Sequence, residues 1–271
     1  MEITVITPNL NHGRFLNDCL KSVANQEGVA LEHIVVDGCS TDDSQKIVRG
    51  YPEVVWVEGP DEGMSDAINK GFERAKGEWV MWLNADDRLR QGALKALIEH
   101  AKSNSRADLV YGDFAFMDEG GNLIREVLLP HWSRFINVHH CCYVPSTACI
   151  IRRSSVIDEG YRLRKDFQYV MDGEFYARLD EAGKRFSHVP MVMADFRLHG
   201  GNLSQRDLRG EGMEGILKAE MQHVESRAIR RAYGITLFKD PYLNGLIDGV
   251  LWIVARAWKG VLKLCAKVAS K

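Results

Sequence analysis

Two adjacent carboxylates, Asp86 and Asp87, close the apolar run "WVMWLNADDRL" at residues 79–89. Neighbouring like charges raise each other's pKa, so the pair calls for a partner. A hard divalent cation is one such partner. Mg²⁺ or Mn²⁺ takes one or two carboxylates together with phosphate oxygens of a substrate. It also offsets the charge that builds on a departing diphosphate. A helix N-cap ahead of "RQGALKALI" is the other use for the same two residues, and the pair alone leaves both open.

The elements that would position this pair are legible as alternating strands and helices. "EITVITPNL" is a β-branched run broken by Pro8, and "HGRFLNDCLKSVANQ" places Phe15, Leu16, Cys19, Leu20 and Val23 at helical spacing. "LEHIVVDGCSTDDS" is a strand ending at Asp37, followed by a turn in which Ser40 or Thr41 can cap the helix "DDSQKIVRGY". "EVVWVEGP" is a third strand, and "MSDAINKGFERAKG" is a helix stopped at Gly77. "EWVMWLNADD" is the fourth strand, with a helix behind it. "DLVYGDFAFMD" and "NLIREVLLP" are strands around the turn "EGGN", and "QYVMDGEFYARLDEAGKRF" is a helix ending at Gly183. Repeated β-α-β with short connections predicts an α/β fold. It is a three-layer α/β/α sandwich around a mostly parallel sheet. Ligands bind such sheets at the carboxyl ends of the strands, which here read "TPN", "VVDGCS" and "LNADD". Neither the dinucleotide-binding glycine pattern nor a P-loop is written in the chain.

The composition narrows the class. The 271 residues are 45% hydrophobic and 27% charged, as in soluble globular proteins, and a formal charge of −2 gives no basic field for nucleic acid. The opening "MEITVITPN" is not a secretory signal, so the six cysteines are expected to be reduced thiols in a cytoplasmic protein. "HHCC" at 139–142 alternates faces along an extended chain and makes a poor tetrahedral cage, so packing or pocket lining is expected there rather than zinc.

Five segments in register carry a resemblance: "VITPNLNHGRFLNDCLKSVANQ", "IVVDGCSTDDS", "DEGMSDAINKGFERAKG", "EWVMWLNADD" and "MDGEFYARL". Over about residues 3–205 the chain resembles the inverting, nucleotide-sugar-dependent family 2 glycosyltransferases of the GT-A fold (Rossmann-like). The resemblance implies Thr7, Pro8, Asn9 and Asn11 at the nucleotide pocket, with Asp37 on the donor's base, commonly uracil. It implies Asp66 and Asn69 on a helix facing the nucleotide, Asp86 near the ribose and Asp87 as the direct ligand of Mn²⁺ or Mg²⁺. Asp172 matches the general base that takes the acceptor proton. "FRLHGGNLS" resembles the segment that closes over the diphosphate, where Arg197 or His199 would meet phosphate or metal. "VPSTACIIRR" resembles the acceptor-side wall, with Ser146 and Thr147 facing the pocket. Glu174 projects away from Asp172 and is expected to face solvent or pair with Arg178, one turn on. Asp166, a second candidate base, lies outside the D-x-x-x-x-x-R frame.

The chain departs from the family pattern at Cys39 in the Asp37 turn, at N-A-D-D for D-x-D, and at Gly173 where an aromatic residue is common. It has no Q-x-x-R-W run, which argues against a processive polymer synthase. After about residue 205 the character changes. Residues 206–271 are expected to form C-terminal helices appended to a catalytic domain at 1–205. Their apolar stripe includes Val250, Val254, Trp258 and Val261, with Arg256, Lys259, Lys263 and Lys267 opposite. Such a stripe suits a peripheral membrane contact on the cytoplasmic face or a homodimer interface. The implied function is transfer of a sugar from a nucleoside diphosphate, with UDP the common carrier, to a hydroxyl of a glycan or lipid-linked glycan, as in surface polysaccharide biosynthesis. Two alternatives are a nucleotidyltransferase that makes the sugar nucleotide and a non-catalytic binding module. The first usually carries a glycine-rich basic loop after strand one, and "TPNLNHGRFL" has one glycine. The second is disfavoured by the presence of Asp37, Asp87 and Asp172 together.

Overall fold

The first strand, β1 (Ile3–Asn9), is buried along its whole length, as a strand must be when helices cover both faces of a parallel sheet. It is followed by α1 (Gly13–Ala24), β2 (Leu31–Asp37), α2 (Ser44–Val48), β3 (Val54–Glu58), α3 (Met64–Arg74) and β4 (Trp79–Trp82). Then come β5 (Arg88–Leu89), α4 (Ala93–Ser103), β6 (Leu109–Met117), β7 (Leu123–Val127), α5 (Arg134–His139) and β8 (Cys149–Arg152). The remaining elements are α6 (Met171–Glu181), β9 (Phe186–Arg197), α7 (Met213–Tyr233) and α8 (Pro241–Ala269). The structure, a computed structural model, describes residues 1–202, 213–234 and 241–269.

The strands form one sheet in the order β3-β2-β1-β4-β8-β6-β9-β5, with β7 paired on β6. The first four are parallel, as the β-α-β repeat requires. Beyond β4 the sheet is mixed: β8 is antiparallel to both β4 and β6, β9 is parallel to β6, and β5 and β7 run antiparallel to their partners. Side chains alternate across the sheet. Ile3 and Val5 therefore join a core with Cys19 and Val23 of α1 and Leu94, Leu97 and Ile98 of α4. Ile6 goes to the other face, with Ile68 and Phe72 of α3 and Phe175, Tyr176 and Leu179 of α6. The result is the expected three layers.

Two local expectations differ. The helix α3 ends at Arg74, before Gly77. Gly77 is needed for a close approach instead: a Cβ there would lie 2.4 Å from the Thr4 amide nitrogen and 2.6 Å from the Ile3 carbonyl carbon. The short helix α2 starts at Ser44 without a side-chain cap, and Ser40 bonds Asp37 rather than a helix end.

The region after 205 is less separate than its change of character suggests. Ile229 of α7 lies in the main core, and Gln222 and Glu225 are buried with it. The helix α8 buries Ala255 and rests Leu262 on the same core, beside α5. Much of its stripe stays outside: Val250, Val254, Trp258 and Val261 are exposed, as is the neighbouring Ile253.

Replacing Gly77 by Ala forces backbone apart from backbone, where no side chain can yield. Overpacking of this kind costs about 1–3 kcal/mol. Gly77→Ala is expected to lower the urea midpoint of unfolding, whereas Gly59→Ala, with open space around its Cβ, leaves it near wild type.

Candidate active site

The carboxyl ends of β1 and β4 open on a cavity of about 410 Å³. Pro8 and Asn9 reach it from β1, and Asn84, Ala85 and Asp86 from the turn after β4. Asp172, near the start of α6, lines the same cavity. Five residues singled out in the sequence thus come together there: Pro8, Asn9, Asp86, Asp172 and Ser146.

The two members of the acidic pair are placed differently. Asp87 is fully buried and does not line the cavity. Its Oδ1 accepts the Arg197 amide N–H at 2.9 Å and its Oδ2 accepts from Asn84 Nδ2 at 3.2 Å. Burial and the neighbouring Asp86 push its carboxyl well above the usual range. A side chain so enclosed holds the turn together. Asp86 is the member that faces the cavity, where its Oδ2 meets His199 Nε2 at 2.9 Å and Asn202 Nδ2 at 3.2 Å. Asn84 and Asp86, two residues apart, both line the cavity, and Asp87, turned toward the core, does not.

Arg197 is turned toward the protein. Its side chain is 2% exposed and its guanidinium is committed to protein partners. It donates to the Asp86 carbonyl at 2.8 Å, the Glu119 carbonyl at 2.9 Å and Asp18 Oδ2 at 2.9 Å. It does not line the cavity. Thr7 is likewise turned into the core, where it bonds His33 Nε2 at 2.9 Å and touches Cys19. Asp37 is fully buried: its carboxylate accepts from Asn9 Nδ2 at 2.6 Å and from the Ser40 amide and hydroxyl. Asn11 clasps the same turn, accepting the Thr41 N–H at 2.8 Å, with its own backbone at φ 56°. Thr7, Asn11 and Asp37 do not line the cavity.

The helix residues have structural partners too. Asp66 pairs with Lys165 at 2.7 Å and Lys70 at 2.9 Å, which hold its carboxyl down to about 2. Asn69 donates to the Leu163 carbonyl at 2.8 Å and accepts the Leu163 N–H at 2.9 Å. Together they pin the loop before α6 onto α3. Neither lines the cavity.

Whether a hard cation fits can be judged from the donors. Among the described residues no group of three or more His, Cys, Asp or Glu is gathered for a metal. A Mg²⁺-type site does not need one, because substrate phosphates and water fill most positions. The chain offers the Asp86 carboxylate with the His199 imidazole against it. Two oxygens of residues that line the same cavity, Asn9 Oδ1 and Asn84 Oδ1, are buried without a hydrogen-bond partner. An oxygen-rich corner with unanswered acceptors fits a hard cation.

Asp172 is differently placed. It accepts the Gly173 N–H at 2.8 Å, and burial raises its carboxyl pKa. Gly173 itself is explained by crowding, since a Cβ there would sit 3.1 Å from Cys142 Cβ. Glu174 is fully buried rather than solvent-facing; it pairs with Arg178 at 3.0 Å and accepts from the Tyr233 hydroxyl at 2.8 Å. Asp166 is exposed and paired with Arg164. The helix start is held from α7: Glu225 accepts the N–H groups of Gln168, Tyr169 and Val170 at 2.8–3.0 Å. Val170 is the N-cap and supplies no side-chain bond of its own.

Several lining residues escaped the sequence analysis, among them His12, Asp61, Tyr169 and Asn202. His12 stands edge-on to His199 at 6.3 Å. Asp61 was signalled only as an acid just past β3. Its Oδ2 lies 2.6 Å from where a Cβ of Gly38 would be. Asn202 sits within the quoted "FRLHGGNLS" segment, where Arg197 and His199 drew attention first.

The two acids are separable by measurement. Asp86→Ala should abolish Mn²⁺-dependent binding of a nucleoside diphosphate while keeping the melting temperature near wild type. Asp87→Ala should instead leave buried N–H donors unanswered, at a cost of about 1–3 kcal/mol, and lower the melting temperature. The opposite pattern would restore Asp87 as the metal ligand.

The profile of glycosyl transferase family 2 matches residues 4–157, more than half of the chain. A Mycobacterium bovis PGL/p-HBAD biosynthesis glycosyltransferase is 34% identical over 116 residues, covering 41% of this chain and 45% of that protein. A GalNAc(5)-diNAcBac-PP-undecaprenol beta-1,3-glucosyltransferase of Campylobacter jejuni is 31% identical over 131 residues, 46% of this chain and 41% of that one. The chain thus matches less than half the length of these curated relatives. Among solved structures, S. aureus TarS 1-349 in complex with UDP-GlcNAc superposes with a TM-score of 0.65 at 19% identity, covering 94% of this chain and 79% of that one. A mannosyltransferase of Pyrobaculum calidifontis in complex with GDP-Man and Mn²⁺ gives 0.60 at 17% identity, over 98% and 86%. At such identities the likeness concerns the fold, which is that of the GT-A glycosyltransferases. With its parallel half-sheet, its acidic turn after β4 and a profile match across the sheet's first eight strands, the chain belongs to glycosyl transferase family 2.

Proposed function

We propose that the protein transfers a sugar from a nucleoside diphosphate to an acceptor hydroxyl, with inversion at the anomeric carbon. The observation that carries this is the shared cavity: Asp86 and Asp172 line one space, the first beside unanswered oxygen acceptors and the second with a raised pKa. The donor's nucleotide would lie along Pro8, Asn9 and Asp61. Asp86, supported by His199 and Asn202, would hold Mn²⁺ or Mg²⁺ at the diphosphate. When bound, the cation stabilises the negative charge of the leaving group.

Asp172 performs the acid–base work. As the acceptor oxygen attacks, its bond to the anomeric carbon forms while the bond to the diphosphate oxygen breaks. The departing electron pair stays on the diphosphate, and the acceptor proton passes to Asp172. A carboxyl with a raised pKa is a better base than an ordinary carboxylate, because its affinity for the proton is nearer that needed at neutral pH. Gly173 N–H keeps the carboxylate oriented. The mycobacterial, Campylobacter and TarS relatives named above support a place in glycolipid or surface polysaccharide synthesis, with a UDP-sugar as the donor to test first.

The exposed face of α8 supports a lipid surface as the place of this function. Val250, Ile253, Val254, Trp258 and Val261 present apolar surface beside the exposed Arg256. Among the described residues no helix is long and apolar enough to cross a membrane. The reading favoured by apolar surface flanked by cations is contact with an anionic lipid surface, with a homodimer as the rival. Ile253→Glu with Trp258→Glu should reduce sedimentation with phosphatidylglycerol vesicles at unchanged molecular mass. A drop in mass without loss of vesicle binding would favour the dimer.

A panel of nucleotide sugars in Mn²⁺ tests the donor. One of them should raise the melting temperature, since a ligand at a hundredfold excess over Kd stabilises by about 2.7 kcal/mol. Asp172→Asn should retain that shift and lose about 10²–10⁴-fold in turnover. In the wild type, kcat/KM should fall as pH drops through the raised pKa of Asp172, above the ordinary 3.8. A raised carboxyl pKa also means that the folded state loses stability as pH rises through that window. Asp172→Asn is therefore expected to be more stable than wild type at pH 7. An active Asp172→Asn enzyme would remove Asp172 as the base.

A further inference from the structure

Asp172 reaches the cavity from a helix start that does not cap itself. Gln168, Tyr169, Met171 and Asp172 all line the cavity, on the run that leads into α6. The N-cap, Val170, makes no side-chain cap bond and sits at φ −131° and ψ 30°, outside the helical range. The first amides of a helix have no partners within it and must be answered from elsewhere. Here the answer comes from α7. Glu225 Oε1 accepts the Gln168 N–H at 2.8 Å, and its Oε2 accepts those of Tyr169 at 2.9 Å and Val170 at 3.0 Å.

Three consecutive amides aimed at one carboxylate form a nest of the kind that binds anions, and the positive end of the helix dipole adds to it. Glu225 is buried, so water competes little for these donors. The same face of α7 continues the contact at four-residue steps. Ile229 joins the main core, with its Cδ1 3.9 Å from where a Cβ of Gly173 would be. Tyr233 donates its hydroxyl to Glu174 Oε1 at 2.8 Å. Glu225, Ile229 and Tyr233 thus meet residues 168–170, 173 and 174 in turn, and Asp172 lies between the first contact and the second. From the other side, Asn69 and Asp66 of α3 hold only the loop before this run.

We propose that Glu225 is a positioning residue for the transfer reaction: by filling the three-amide nest at the entry to α6 it fixes the backbone from which Asp172 reaches the cavity, which makes α7 a working part of the active site. This rests on the glycosyl-transfer function proposed above, with Asp172 as the base. A misplacement on the order of 1 Å between base and acceptor hydroxyl is enough to cost about a hundredfold in rate. Pro8, Asn9 and Asp86, placed above on the donor side, come from β1 and the turn after β4, and Glu225 bonds none of them.

Four full-length variants test this: Glu225→Ala, Glu225→Gln, Asp172→Asn and the double variant of Glu225→Ala with Asp172→Asn, each with its fold checked by circular dichroism. Glu225→Ala should lose about tenfold to a hundredfold in kcat, while KM for the nucleotide sugar changes by less than about threefold. Glu225→Gln should fall between it and the wild type. Its one oxygen can answer Tyr169 and Val170, leaving Gln168, an exposed residue, to water. The double variant should be as slow as Asp172→Asn alone, because a residue that acts through the base then has nothing left to position. Losses that multiply in the double variant would assign Glu225 to general stability and overturn the proposal. So would a Glu225→Ala enzyme with the kcat of wild type. An equal loss of kcat in Gly77→Ala would do the same, since its crowding lies at the amino end of β1, away from the cavity. Should Glu225→Ala fail to fold, Glu225→Gln and its own double with Asp172→Asn carry the same comparison. Asp172→Asn turning over like wild type would defeat the base assignment itself, whereas an inactive Asp172→Asn beside a fully active Glu225→Ala defeats only the positioning role.

Discussion

A guanidinium buried to 2% exposure must be answered on every side, because an unpaired charge out of water costs several kcal/mol. Arg197 meets that demand from three segments far apart in the chain: Asp18 of α1, the Glu119 carbonyl in the turn between β6 and β7, and the Asp86 carbonyl. Its own amide N–H is taken by Asp87. The last two contacts hold the turn after β4 by its backbone and by the wrong-facing acid. The other acid is then left to look into the cavity. The geometry of Asp86 is in this sense a by-product of where a positive charge had to be neutralised.

The same logic applies at the other carboxylate. Asp172 stands at the first turn of α6, and that turn is tied from α7 by Glu225 and, one step further along, by the Tyr233–Glu174–Arg178 set. On the opposite side, Asn69 and Asp66 fasten the preceding loop to α3. The parallel half of the sheet and the helix that carries Asp172 are thus joined through polar contacts made outside the cavity.

How much of this was legible in the sequence follows from what local pattern encodes. Apart from the two-residue β5, the strands and helices up to α4 were plain, since β-branched runs and helical spacing report burial directly, as in β2, where Ile34, Val35 and Val36 are all buried. The cavity's place at the strand ends followed from fold class. What pattern does not encode is which way a polar side chain turns. Asp86 and Asp87 are identical in chemistry and adjacent in sequence, and only Arg197, more than a hundred residues away, sorts them. Thr7, Asn11, Asp37, Asp66 and Asn69 were found as special residues, yet their partners are backbone groups and side chains of other segments. Asp61 and His12 carry no periodic signal at all. Glu225 was hidden because its helix has no neighbouring strand in sequence and its role exists only across the fold.

The three amides held by Glu225 have a consequence for synthesis. The chain's recognisable pattern is complete by β9, and a nascent polypeptide of that length already holds Asp86, Asp172 and the whole sheet. Yet the entry into α6 lacks a side-chain cap of its own and waits for a carboxylate that is translated more than fifty residues after it. Until then Asp172 sits at a helix start with open donors. A chain ending at β9 would therefore lack the carboxylate that answers three backbone donors at the turn carrying Asp172, and that turn is expected to settle only once α7 has been made.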